Sequence, residues 1–147
     1  MGTIGKKYKI VPIKGTEIEE TKINSVKDAA EYAKKFYHED IEIYESSFAL
    51  FLTRANKVKA YIKISQGGTV GTIIDPILIT KYAIDTLARS VILIHNHPSG
   101  NLTPSKSDKD TTSKILNGLK LFNIVLLDHI ILSPDFNYYS FANEQEL

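Results

Sequence analysis

The chain has 147 residues, of which 43% are hydrophobic and 24% charged, values that suit a globular protein of about one domain. The absence of cysteine excludes thiolate zinc sites, cysteine nucleophiles and disulfides, and it favours a cytoplasmic location. The formal net charge of +1 argues against a dedicated nucleic-acid-binding protein, and no apolar run approaches the roughly 18 residues that cross a bilayer, so we expect no membrane contact.

The first forty residues predict an N-terminal extension that contains one helix. Ser25 and Asp28 have the spacing of a capping box at the start of a helix. Apolar residues then recur at helical spacing from Val26 to Tyr37, so the helix should end near His38.

The hydrophobic period changes at Ser47. Phe48, Leu50 and Leu52 are apolar at every second position, which is typical of a strand. Alternation resumes from Val58 to Ser65 after a turn at residues 54–57, which predicts a hairpin. A glycine pair then interrupts the pattern, and Val70 to Ile74 predict a further strand.

The second half of the chain alternates helices with buried strands. Pro76 fits the first turn of a helix that runs to about Arg89, and Val91 to Ile94 form an apolar run typical of a strand covered on both faces. This alternation predicts an α/β fold, a three-layer α/β/α domain around a mixed β-sheet. The remaining predicted elements are a helix over Ser105 to Leu121, a strand over Ile124 to Leu132 and a short strand over Tyr138 to Phe141.

His95 and His97 directly follow the buried strand. Side chains two residues apart on a strand point to the same side, so the two imidazoles can converge. Residues 98–104 are rich in turn-forming residues and can reverse the chain, which would bring Asp108, early in the next helix, back towards the imidazoles. Two imidazole nitrogens and one carboxylate oxygen suit Zn²⁺, and three protein ligands leave a fourth position for a catalytic water.

Structural explanations for the same residues remain open. Ser105 and Asp108 also have the spacing of a capping box, which requires no metal. A histidine at the end of a strand can simply be a polar residue that leaves the core. The tripeptide His95-Asn96-His97 does not indicate a nuclease of the HNH class, because that class is named for residues that are not consecutive.

The composite motif resembles a known family. His95-x-His97, seven further residues, Ser105, two residues and Asp108 match the JAMM signature of JAB/MPN zinc metalloproteases. The likeness implies a JAB/MPN domain of cytidine-deaminase-like architecture over residues 44–147, preceded by the extension over residues 1–43. The segments that are similar to the RadC branch of that superfamily are His95 to Gly100, Thr103 to Ser105, Leu127 to Ile131 and Tyr139 to Phe141.

The resemblance implies a catalytic zinc site with His95, His97 and Asp108 as ligands. The JAMM signature also has an upstream glutamate, for which Glu45 fits and Glu42 is the competitor.

Glu45 would take a proton from the attacking water and deliver it to the leaving amine. The Ser105 hydroxyl would hydrogen-bond the developing oxyanion or position the water.

Other polar residues near the motif are candidates to support the site. Asn96, Ser99 and Asp128 are possible hydrogen-bonding partners of the imidazoles, and the sequence does not choose among them. His129 is expected to be a buried polar residue paired with Asp128 rather than a ligand, and His38 to lie at the end of a helix.

The function implied by the resemblance is zinc-dependent hydrolysis of amide bonds in a protein or peptide substrate. The alternative is a non-enzymatic DNA-repair or mobile-element accessory protein of the RadC type, and a metal-dependent nuclease ranks last because cationic residues near the motif are few. Residues 1–43 lack the glycine-hairpin pattern of the DNA-associated region of RadC proteins, which weakens the expectation of a nucleic-acid partner. The sequence does not indicate the oligomeric state.

Overall fold

In a computed structural model, residues 18–67 and 73–147 are described, and they form a five-stranded sheet with helices on both faces. The strands are β1 (Ser46–Leu52), β2 (Val58–Gln66), β3 (Ser90–Asn96), β4 (Val125–Leu132) and β5 (Tyr138–Ser140). The α-helices are α1 (Val26–Ala33), α2 (Pro76–Asp85) and α3 (Lys106–Lys120), and a short 3-10 helix spans Glu39–Glu42.

The sheet is mixed, and its strand order is β2-β1-β3-β4-β5. β1 pairs antiparallel with β2 and with β3, and β4 pairs antiparallel with β5. β3 and β4 are parallel, and α3 lies in the connection between them, as a parallel pair requires a long crossover. The carboxyl end of β3 therefore leads into the loop that precedes α3.

Alternate residues of the central strands enter two separate cores. Phe48 and Leu50 of β1 pack in a core with Ala29 of α1. Ala49, between them, packs on the other face of the sheet with α2 and α3, whose side chains there include Ile115. The two helical layers on opposite faces confirm the predicted α/β fold with three layers and a mixed sheet.

Apart from the strand predicted over Val70 to Ile74, the predicted elements are present, but two helices end earlier than their hydrophobic patterns indicate. The first is α1, which ends at Ala33 rather than near His38. Its last turn tightens to bonds between residues three apart, such as Phe36 N to Ala33 O, and the chain then turns so that the Tyr37 hydroxyl donates to Ser46 O at 2.6 Å. Tyr37 is therefore buried, and Phe36 partly buried, without being helical.

The second is α2, which ends at Asp85 rather than near Arg89. Leu87 adopts a positive φ of 52°, and Ala88 N donates to Ala83 O, which together close the helix. Glycine usually occupies such a position, so the sequence carries no signal for this end.

The other boundaries agree with the prediction to within two residues. α3 has Ser105 as its N-cap and ends at Lys120, and β5 covers Tyr138–Ser140. Residues 70–72 of the strand predicted over Val70 to Ile74 lie outside the described residues, and Ile73 and Ile74 belong to no strand. The division of the chain between residues 43 and 44 stays a prediction.

Among the helices in the described part of the chain, none combines the length and apolarity that crossing a membrane requires.

Two isoleucines of α2 test the assignment of its buried face. Ile79 is fully buried beneath the helix, whereas Ile77 is 76% exposed. Ile79→Ala should lower the free energy of unfolding by about 2–5 kcal/mol, because it leaves a cavity in the core. Ile77→Ala should change it by no more than about 0.5 kcal/mol. Urea denaturation of the two variants measures both values, and equal losses would contradict the packing described for α2.

Candidate metal centre

Strand β3 places the first imidazole on the face of the sheet that packs against α3. His95 is the sixth residue of β3 and its side chain is fully buried. His97 follows the strand, and its backbone N–H donates to Leu132 O of β4 at 2.9 Å, which continues the pairing of the two strands. The side chains of His95 and His97 therefore point the same way, and their Nε2 atoms lie 3.0 Å apart.

The loop after His97 reverses the chain and orients that histidine. Gly100 has a φ of 81° and its N–H donates to His97 O at 2.9 Å, which closes a tight turn. The Nδ1 atom of His97 lies 2.6 Å from Asn101 O, a carbonyl that can only accept. His97 therefore carries a proton on Nδ1, which lets its Nε2 lone pair face His95 in the neutral imidazole.

A capping box at the start of α3 holds Asp108 in place. Asp108 N donates to Ser105 Oγ at 3.0 Å, and Ser105 N donates to Asp108 Oδ2 at 2.7 Å. The same carboxylate faces the histidines, with Oδ1 3.4 Å from His95 Nε2 and Oδ2 3.5 Å from His97 Nε2. The capping box predicted from the sequence is therefore present, and it directs the same carboxylate towards the histidines.

Glu45 completes the group from the residue that precedes β1. Its Oε1 lies 4.0 Å from His95 Nε2. Ligand atoms of Glu45, His95, His97 and Asp108 all lie within 4.8 Å of one another. Glu42, the other candidate carboxylate, lies in the 3-10 helix, is exposed and is not part of this group.

The chemistry of the donor atoms fits a metal ion. Two imidazole nitrogens and two carboxylates converge, and both kinds of atom carry lone pairs that repel one another unless a cation or protons lie between them. Such a mixture of nitrogen and oxygen atoms is the donor set that Zn²⁺ accepts.

The group has a closed side and an open side. The His95 side chain is 0% exposed and forms the floor, whereas the side chains of Glu45, His97 and Asp108 are 22%, 15% and 13% exposed. Water and a substrate group can therefore reach the cluster from the side opposite His95.

The surroundings shift the pKa values of three of these groups. Burial disfavours the Asp108 carboxylate, but the hydrogen bonds that His95 and His97 donate to it when their rings are also protonated on Nε2 outweigh burial and lower the pKa of Asp108. The hydrogen bond that the protonated His97 ring can donate to Asp108 raises the pKa of His97. Burial raises the pKa of Glu45, against the opposing effect of the two histidines.

Ser105, the other predicted catalytic residue, is exposed and acts as the N-cap of α3. Its Oγ accepts from Asp108 N, which places the hydroxyl next to a proposed metal ligand. Among the described residues, the hydroxyl accepts this hydrogen bond and donates none.

Asn96 supports the site in a way that the sequence did not specify. It lies between the two histidines on the strand, so its side chain points to the opposite face of the sheet. Its Oδ1 accepts from Ser46 N, and its Nδ2 donates to Ile41 O and Tyr44 O, all at 2.8 Å. The buried amide thus holds the backbone on both sides of Glu45 rather than orienting an imidazole.

Ser99 and Asp128, the other two candidates for support, do not contact the imidazoles. Ser99 Oγ accepts from Asn101 N at 3.3 Å within the loop. Asp128 accepts from Ser140 Oγ and Ala142 N, which attaches the C-terminal segment to β4. Burial raises the pKa of Asp128 despite these hydrogen bonds.

His129 is a further site residue that the sequence reasoning placed differently. Its imidazole is fully buried, and its Nε2 lies 2.7 Å from His95 Nδ1, so its ring is paired with a proposed ligand and not with the Asp128 carboxylate. Burial lowers the pKa of His129 well below its ordinary value, which keeps the ring neutral. The pairing depends on the register of β3 and β4, which the sequence does not display.

His38 is exposed and precedes the 3-10 helix.

Comparison with known proteins gives a family match. The family described as "RadC-like JAB domain" matches residues 23–147. A UPF0758 protein of Coprothermobacter proteolyticus is 35% identical over 144 residues, which is 97% of this chain and 59% of the relative. A UPF0758 protein of Flavobacterium johnsoniae is 42% identical over 101 residues, 69% of this chain and 44% of the relative.

A third relative gives the same result. A UPF0758 protein of Fusobacterium nucleatum is 39% identical over 110 residues, which is 75% of this chain and 46% of the relative. The chain thus spans about half the length of these relatives. Their names state no activity and no ligand.

The role of Asn96 can be tested by unfolding. Asn96→Asp keeps the shape and the acceptor for Ser46 N, but it removes the donor to Ile41 O and Tyr44 O and buries a charge. We expect the free energy of unfolding to fall by at least about 3 kcal/mol, since each buried partner left unpaired costs about 1–3 kcal/mol. Denaturant titration followed by circular dichroism gives the value.

The matched control is the same substitution at an exposed asparagine of the loop. Asn101 Oδ1 accepts from Thr103 N, a bond that an aspartate oxygen retains. Asn101→Asp should therefore change the free energy of unfolding by no more than about 0.5 kcal/mol. If the two variants were equally stable, the Asn96 amide would not hold the segment that carries Glu45.

Proposed function

Because the chain belongs to the RadC-like JAB domain family, we propose that it is a zinc-dependent hydrolase that cleaves amide bonds in a protein or peptide substrate. The family match confirms the resemblance predicted from the composite motif of His95, His97, Ser105 and Asp108. The proposal rests mainly on one observation, the convergence of Glu45, His95, His97 and Asp108 on one partly open point. The activity, the substrate and the identity of the metal are the proposed parts.

Each of the three proposed ligands is held by a separate contact of the fold. His95 and His97 are held by β3 and by the loop, and Asp108 is held by the capping box of α3. When bound, Zn²⁺ supplies a Lewis acid that polarises a carbonyl and acidifies water. The side of the cluster opposite His95 is partly exposed, which would leave room for a substrate amide to approach a bound ion.

Glu45 is the proposed proton carrier. Its carboxylate is partly exposed and its raised pKa lies closer to neutrality than that of an ordinary glutamate. It accepts a proton as water oxygen bonds to the amide carbon, and it gives that proton to the leaving amine when the C–N bond breaks. Asn96 keeps the carboxylate at the site by holding the backbone around it.

Ser105 is the proposed donor to the oxyanion. Its hydroxyl oxygen already accepts from Asp108 N, so the hydroxyl proton points away from the helix backbone. A hydrogen bond from this proton to the negative oxygen that develops on the amide would stabilise the transition state.

Metal analysis of two variants separates the proposed ligand from the proposed base. After reconstitution with zinc, the wild-type protein should hold about one zinc per chain, as a mononuclear site requires. His97→Ala should retain little zinc, and Glu45→Gln should retain it. His38→Ala is the matched control for the first variant, because His38 is exposed and lies outside the site, and it should keep its zinc.

Activity is measured on a mixture of unstructured peptides, with newly formed amines detected by mass spectrometry. Glu45→Gln should lose at least about 100-fold in rate while keeping zinc, because general acid–base catalysis contributes at least that much. Glu42→Gln, the matched control on the exposed glutamate, should keep the wild-type rate.

Three results would count against the proposal. A wild-type protein that takes up no zinc would contradict the proposed metal site. Equal rates for Glu45→Gln and Glu42→Gln would contradict the role of Glu45 as the base. A zinc-loaded protein that cleaves no peptide but binds DNA in a salt-dependent way would favour an accessory role in DNA repair.

A further inference from the structure

A chain of hydrogen bonds connects His95 to the backbone of α3 through two residues that the proposed reaction does not use. His95 Nδ1 lies 2.7 Å from His129 Nε2, and His129 Nδ1 lies 2.6 Å from Thr112 Oγ1. The Thr112 hydroxyl in turn donates to Asp108 O at 2.6 Å. The side chains of His95, His129 and Thr112 are all buried, so water does not compete for these hydrogen bonds.

The direction of each bond follows from the carbonyl at its end. Asp108 O can only accept, so the single hydroxyl proton of Thr112 lies between Oγ1 and that oxygen. The contact of 2.6 Å between Thr112 Oγ1 and His129 Nδ1 then needs a proton from the ring, and His129 carries it on Nδ1.

The proton positions on His129 determine which nitrogen of His95 is protonated. Neutral His129 has no second ring proton, so its Nε2 accepts. The proton between His129 Nε2 and His95 Nδ1 therefore belongs to His95 Nδ1. In neutral His95 the other nitrogen, Nε2, is left with a free lone pair, and this is the atom that faces His97 and Asp108.

We propose that Thr112 and His129 are positioning residues that hold His95 in its Nδ1–H tautomer, with the Nε2 lone pair ready to bind a metal ion. This inference rests on the proposed function, because it assigns the device that prepares one of its ligands. It extends the site by two residues that touch neither the metal position nor the substrate.

The packing around His129 keeps this connection in place. The ring stacks on Phe141, with centroids 4.8 Å apart and planes inclined by 10°. Phe141 N donates to His129 O, and Asp128 holds the neighbouring residues of the same C-terminal segment.

Helix α3 supplies both a ligand and the end of the connection. Thr112 follows Asp108 by one helical turn, so both lie on the same face of α3. The helix thus directs the carboxylate of Asp108 towards the metal position and uses the carbonyl of the same residue to set the tautomer of His95.

The first test is zinc affinity, measured by competition with a chromophoric chelator. Thr112→Val keeps the volume but removes the acceptor for His129 Nδ1–H. His129 can then protonate Nε2 instead, which moves the His95 proton to the nitrogen that should bind zinc. We expect zinc binding to weaken by roughly 10- to 100-fold, the usual effect of removing an orienting partner of a ligand.

Two variants control for the substitution itself. Thr112→Ser keeps the hydroxyl and should restore affinity close to the wild-type value. Thr111→Val makes the same change at the neighbouring, partly exposed residue of α3 and should also bind zinc as the wild type does. Equal zinc affinity in Thr112→Val and Thr111→Val would overturn the inference.

The second test reads the tautomer directly and needs no metal and no variant. Long-range ¹H–¹⁵N spectra of the metal-free wild-type protein at alkaline pH distinguish protonated from unprotonated ring nitrogens. We expect both His95 and His129 to be protonated on Nδ1. Protonation of His95 on Nε2 would overturn the inference, even if Thr112→Val failed to fold.

The two tests also separate this inference from the proposed function. A wild-type protein that binds no zinc contradicts the metal site, and the spectra still decide the tautomer. A wild-type protein that binds zinc with His95 protonated on Nε2 before binding contradicts only the positioning role of Thr112 and His129.

Discussion

The fold holds the donor atoms of the site close together although their lone pairs repel one another. Lone pairs of two imidazoles and two carboxylates meet within a few ångströms, and in an unconstrained peptide they would move apart. Here the strand pairing of β3, the capping box of α3 and the amide of Asn96 each hold one part of the cluster. Other interactions of the fold therefore offset the unfavourable free energy of bringing these groups together, and a cation bound among them would relieve the repulsion.

Local sequence rules predict the ligands that lie on regular structure. The period of two along a strand placed His95 and His97 on one side, and the capping-box spacing placed Asp108 at the start of a helix. The same rules could not choose between Glu45 and Glu42, because their segment is held by a buried amide from another strand. The partner of His129 was missed for a similar reason, since only the pairing of β3 with β4 brings its ring to His95.

The ends of the helices likewise differ in whether local sequence or distant contacts determine them. Both ends of α3 agree with local signals, a serine cap at the start and Asn123 with a φ of 55° after the end. The end of α2 does not, because Leu87 occupies a left-handed conformation that leucine rarely adopts. After α1 the chain turns so that the Tyr37 hydroxyl bonds to Ser46 O of β1. The periodicity of the apolar residues does not predict this contact.

The outer strands of the sheet also bear on how the protein behaves at high concentration. An exposed edge of a sheet can pair with another chain and start aggregation. β5 has only three residues, which leaves little edge to extend. β2 is longer, but Thr21 and Ile23 bond to the backbone near its start, and Lys59 and Lys63 add charge further along it. Short length at one edge and cover with charge at the other are two means by which natural sheets avoid amyloid-like association.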